Sequence, residues 1–138
     1  MTQKNVQYVC TGCKSNLVVD GKITMGVHNA MNGTRGILRA SPIIGDYSIS
    51  TSPTLKTKLG DRLNVLCPCC GLMLNSDDSH WGKILLRRAQ KEYYVLFSTI
   101  IGENVTYKLG HKSQRPQVFG PDAEKVKKPN WSTMLVSS

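Results

Sequence analysis

Cys10-Thr11-Gly12-Cys13 and Cys67-Pro68-Cys69-Cys70-Gly71 are the two stretches on which the reading of this chain turns. Each holds a Cys-x-x-Cys pair, the spacing that sets two sulfurs on one tight turn where backbone amides reach them. Two such turns facing each other complete a tetrahedral set of four sulfurs. The flanks agree with that reading: Gln7-Tyr8-Val9 enters the first pair as a short strand, and Leu63 to Leu74 is apolar on both sides of the second. Gly71 follows the second pair, where a positive φ is wanted, and Lys14 takes the same place after the first. The two-residue spacing selects Cys10, Cys13, Cys67 and Cys70 as ligands, with Cys69 competing for either place in the second pair. Five cysteines leave one thiol over in any pairing, which argues against a disulfide framework.

The segments Tyr8-Val9-Cys10-Thr11-Gly12-Cys13 and Cys67-Pro68-Cys69-Cys70-Gly71 resemble the two knuckles of the zinc-ribbon and rubredoxin-like group, and the resemblance is confined to them. It implies a pair of β-hairpins around one metal ion. A rubredoxin would imply iron and electron transfer, but the long interval between Cys13 and Cys67 departs from the compact loop of that group. Zinc is therefore the expected metal, with iron as the alternative. A closed set of four sulfurs leaves no open position for a substrate, so the site reads as structural and the protein as no enzyme.

Working outward, Asn16 to Ile23 reads as a hairpin with Asp20-Gly21 at its turn. Residues 24–62 carry Gly26, Gly33, Gly36, Gly45 and Gly60 with Pro42 and Pro53, and read as a long insertion between the knuckles. Short strands near Ile37-Leu38 and Tyr47-Ser48-Ile49 interrupt it, and the segment as a whole reads as a binding arm. Beyond the second knuckle, Trp81–Arg88, Tyr93–Ser98 and Val105–Leu109 are short β-branched and aromatic runs bounded by turn signals, a three-stranded meander. A helix over residues 82–90 competes, because Leu85, Leu86 and Ala89 also sit at helical spacing. From Gly110 the chain turns polar, with Pro116, Pro121 and Pro129, and reads as a basic tail carrying the apolar residues Trp131 and Met134-Leu135-Val136. The expected architecture is mainly β: a zinc-ribbon domain over 1–109, its long insertion at 24–62, a small antiparallel meander and a basic tail over 110–138.

The 138 residues carry 18 Lys and Arg against 9 Asp and Glu, a formal net charge of +9. Such an excess attracts nucleic acid, anionic lipid or an acidic protein partner, and charge alone does not choose among them. Arg87, Arg88 and Lys91, with Lys125, Lys127 and Lys128, are the candidate contact residues. No run approaches the roughly 20 apolar residues of a membrane span, and Met1 to Asn5 leads into no apolar signal-type stretch. The expectation is a cytoplasmic protein without a membrane partner or a small-molecule substrate. His28, His80 and His111 lack ligand-like spacing, and no Gly-rich phosphate loop is present. Three functions fit, in this order: a zinc-stapled module that binds RNA, a ribosome-like assembly or DNA; a non-catalytic subunit of a larger protein complex; and a rubredoxin-like electron carrier.

Overall fold

The computed structural model describes residues 6–75, 81–88, 91–110 and 117–124, and all that follows concerns these. The chain is built from antiparallel strands in two sheets. β1 (Val6–Val9) belongs to the first sheet; β2 (Val18–Val19), β3 (Lys22–Asn29), β4 (Arg35–Ala40), β5 (Ile49–Thr51) and β6 (Leu63–Leu66) form the second. The chain then returns to the first sheet as β7 (Trp81–Arg88), β8 (Lys91–Ser98), β9 (Thr106–Leu109) and β10 (Gln117–Phe119). The first sheet has the order β1-β7-β8-β9-β10, and the second runs β2-β3-β4-β5 with β6 also paired to β3.

β3 organises the second sheet through a clean alternation. Ile23, Met25, Val27 and Asn29 are buried, while Lys22, Thr24, Gly26 and His28 face outward. One edge of β3 pairs with β4 from Ile23↔Ala40 to His28↔Arg35. The other edge is shared end to end: Val18↔Ile23 and Val19↔Lys22 at its start, then Gly26↔Leu66 to Asn29↔Leu63 at its end. The β2–β3 turn has Asp20 at φ 51° and Gly21 at φ 77°, the two positive values of a type I′ hairpin, as the Asp-Gly pair leads one to expect.

Residues 24–62 are therefore not an irregular arm. They supply most of β3, all of β4 and β5, and the connections between them. The alternation Ile23, Met25, Val27 runs across Gly26, a residue that reads as a breaker but here occupies an ordinary extended position with Leu66 beside it. The far end of this segment is tied down by a buried polar cluster. Asn29 donates from Nδ2 to the Lys56 carbonyl at 2.8 Å and to the Asp61 carboxylate at 2.9 Å, while its Oδ1 accepts from the Met31 amide. Asp61 also accepts from the Lys58 amide at 3.0 Å.

The expected meander is present as β7, β8 and β9, and Trp81–Arg88 is strand rather than helix; Ala89 and Gln90 lie outside the described residues. β7 is an interior strand, paired with β1 from Val6↔Arg88 to Val9↔Leu85 and with β8 along its whole length. Gly82 lets Phe97 lie flat against β7, since a Cβ there would collide with the ring. Of the segment expected as a tail, Gln117–Phe119 instead forms the edge strand of the first sheet on β9. Lys125, Lys127, Lys128, Trp131 and Met134 to Val136 lie outside the described residues.

The main core lies between the sheets, where Tyr8, Ile84, Leu86 and Val95 meet Met25, Val27, Leu38 and Val65. Tyr8 reaches across it and donates its hydroxyl to the Pro42 carbonyl at 2.6 Å; burial pushes its phenol up to about 12. A second cluster occupies the opposite face of the first sheet, where Trp81 and Tyr107 meet edge to face with centroids 5.5 Å apart. Replacing Asn29 by Leu (N29L) strips the buried Asp61 carboxylate of a donor and is expected to lower unfolding free energy by about 1–3 kcal/mol. Urea denaturation of the metal-loaded chain checks this, and an unchanged midpoint would contradict it.

Candidate metal centre

Each knuckle sits where the chain crosses between sheets. The first joins β1 to β2, and the second leads out of β6 toward β7. Because β2 and β6 approach each other along one edge of β3, the two turns that extend from them are carried to the same place.

The two turns match position for position. Cys10 N–H donates to Ser15 O at 3.1 Å, as Cys67 N–H does to Leu72 O at 2.9 Å. Lys14 N–H returns to Cys10 O at 3.1 Å, as Gly71 N–H does to Cys67 O at 2.9 Å. Outside them, Leu17 N–H donates to Tyr8 O and Leu74 N–H to Val65 O, both at 2.6 Å. The amide of Gly12 points at Cys10 Sγ at 3.3 Å, and that of Cys69 at Cys67 Sγ at 3.4 Å. Lys14 has φ 62° and Gly71 φ 77°, so the left-handed residue that the turn demands is a lysine in one knuckle and a glycine in the other.

The sulfurs of Cys10, Cys13, Cys67 and Cys70 all lie within 4.8 Å of one another. Cys10 to Cys70 and Cys13 to Cys67 are both 3.7 Å, across the two knuckles. A tetrahedron with metal–sulfur bonds of about 2.3 Å has edges of about 3.8 Å, so the set fits a single tetrahedral metal ion. Cys69 stands outside the cluster and is exposed, which settles the competition within the second pair. The first cysteine of each pair is buried, and the second is exposed.

Four thiols this close cannot all ionise without a cation between them, and they diverge accordingly. The Ser15 hydroxyl and amide hold Cys13 down to about 6. At Cys70 the Leu72 amide favours the thiolate, but desolvation and the neighbouring sulfurs outweigh it and push the thiol up to about 12. A divalent ion removes this conflict, and its binding displaces the remaining protons.

Of the basic residues singled out from sequence, Arg87, Arg88 and Lys91 share one end of the β7–β8 pair, and Lys125, Lys127 and Lys128 lie outside the described residues. Arg87 is held by Glu92 at 2.7 Å. Arg88 and Lys91 face each other across the end of the β7–β8 hairpin, and both are exposed. The strand register gathers another set that the sequence reading missed. On the outer face of the second sheet, His28 stands between Asn64 and Arg35 in one cross-strand row, Arg62 comes two residues before Asn64, and Arg39 and Lys22 lie farther along the same face toward the start of β3. The alternation Arg35, Ile37, Arg39 was the available signal. No protein-family model matches the chain, and neither a curated protein nor a solved structure is significantly similar to it.

Replacing Cys13 by Ala is expected to abolish stoichiometric metal binding and to unfold the region joining β1, β2 and β6, whereas Cys69→Ser retains one ion per chain. Elemental analysis with thermal melts reads both. Alkylation at pH 7 followed by peptide mass mapping gives a second reading: Cys69 is modified in the loaded protein, and the four ligands become reactive only once metal is chelated. Because the ligands bind as thiolates, affinity for the ion falls as pH falls. Lys14→Gly removes the left-handed strain and is expected to stabilise the loaded fold by about 1 kcal/mol, measured as a raised denaturation midpoint.

Proposed function

We propose that this protein is a non-catalytic, zinc-stapled module that binds nucleic acid, RNA in the first place, free or within a ribosome-like assembly. The four sulfurs would hold zinc through Cys10, Cys13, Cys67 and Cys70, and the ion would supply folding energy on the order of 10 kcal/mol rather than chemistry. Sulfur at all four corners leaves no position for a substrate or water. Zinc is preferred to iron because the site lies at the crossovers that join the sheets, a stapling position.

The observation that carries the nucleic-acid reading is the outer face of the second sheet. Arg35 and Arg62 are exposed there near His28, and Arg39 and the exposed Lys22 lie farther along the same face. Arg39 is partly neutralised, donating to the Val19 carbonyl at 3.0 Å and lying 4.0 Å from Asp20. Spaced cations on one sheet face position phosphates, and an imidazole beside them offers a face for an unpaired base. Binding of zinc-loaded protein to a fluorescent single-stranded RNA is expected to weaken with salt at a log–log slope of about −2 to −3, from about 0.7 per neutralised phosphate. Arg35→Glu with Arg62→Glu should flatten that slope. Absence of binding at low salt would refute the reading.

A second reading, a subunit of a protein assembly, is favoured by Leu72 and Met73. These two apolar side chains are exposed directly beside the second knuckle. Co-purification with a fixed protein partner that Met73→Lys abolishes would support it.

A further inference from the structure

The two sheets do not close completely on each other. Between them the side chains leave a cavity of about 360 Å³, within the range of roughly 300–1,000 Å³ that small-molecule sites occupy. Protein interiors ordinarily tolerate few voids larger than a water molecule, so a space of this size in a chain of 138 residues asks for an occupant. Its walls are apolar on both sides: Met25, Leu38 and Val65 from the second sheet, Ile84, Val95 and Phe97 from the first. The contact of Phe97 with Gly82 holds one wall back against β7.

The cavity reaches the surface through an apolar lip. Ile43, Ile49 and Leu59 line it and are all exposed, Leu59 to 81%. Exposed apolar side chains gathered at a lined opening are the mark of a surface that meets an apolar partner. The Tyr8 hydroxyl within the lining is taken by the Pro42 carbonyl, and among the described lining residues the charged ones are Asp46 and Glu103, with no Lys or Arg. In a chain of net charge +9 that is a local reversal of sign. Both carboxylates already have partners. Asp46 accepts from the Ser48 amide and hydroxyl, with Lys22 acting on it weakly from outside the lining, and Glu103 accepts from the Ser98 hydroxyl at 2.7 Å. The rim thus disfavours an anion and has no carboxylate waiting for a cation.

We propose that this cavity is a binding site for an uncharged amphiphile, a small molecule with an apolar body seated between the sheets and a neutral polar group at the rim. The site is separate from the metal centre and from the basic outer face. It takes a different class of ligand from nucleic acid and stands whether or not that reading holds.

The test uses the full zinc-loaded chain with methyl groups labelled for NMR, titrated with octan-1-ol and with octanoate, which share one chain length and differ in head-group charge. Octanol is expected to shift the methyl signals of Ile84, Val65 and Val95, and octanoate to bind about tenfold more weakly or less, a difference of about 1.4 kcal/mol. Ala40→Phe, which fills the cavity from a partly buried position on β4, should abolish the shifts while one zinc per chain is retained. Should that variant not fold, Asp46→Asn with Glu103→Gln serves instead: it leaves octanol binding in place and brings octanoate toward it. Methyl shifts absent with both probes, or unchanged in a folded Ala40→Phe variant, would overturn the site. Octanoate binding as tightly as octanol to the unaltered chain would overturn the ligand class.

Discussion

One edge of β3 is shared by two strands that meet it end to end, and the rest of the molecule depends on that arrangement. β2 covers the start of the edge and β6 its end, both antiparallel to β3, so their free ends point at each other near Thr24 and Met25. Each of those ends runs into a Cys-x-x-Cys turn. Backbone hydrogen bonding therefore brings together two turns separated by most of the second sheet in sequence, and the four sulfurs converge before any ion is considered. An ion placed there fixes both crossovers between the sheets at once. This is why a structural metal suits a protein whose core is divided between two small sheets.

The two knuckles follow one local pattern, and their differences are informative because the pattern is otherwise so closely kept. Gly12 in the first is replaced by Cys69 in the second, so the extra thiol occupies a position whose amide serves the neighbouring sulfur. Lys14 in the first stands where Gly71 stands in the second, at the same left-handed backbone conformation. The metal set tolerates that strain because the surrounding hydrogen bonds leave the turn no alternative.

The second sheet presents two unlike faces, and strand periodicity alone produces the contrast. Along β3 the odd positions from Ile23 enter the apolar space against the first sheet, and the even positions from Lys22 join Arg35, Arg39 and Arg62 outside. A segment with little helical or strand signal over long windows thereby gains one face for apolar contact and one for charge. The first sheet is less divided, since β7 is buried on both faces from Trp81 to Leu86, Lys83 included, and turns outward only at Arg87 and Arg88.

Much of this was legible in the residues themselves. Covalent spacing determines which sulfurs share a turn, so Cys10 with Cys13 and Cys67 with Cys70 could be read directly, as could the Asp20-Gly21 hairpin and the three apolar strands after residue 80. These signals are local, set by φ preferences and by alternation over a few residues. What only the tertiary structure decided is register and facing. Gly26 and the glycines around it concealed a strand that is held by partners on both edges, and three residues of an apparent tail found an open edge on β9. Which cations share a surface, and that a cavity remains between the sheets, follow from long-range pairing. A cross-strand neighbour is chosen by the packing of the whole sheet, and no window of sequence contains it.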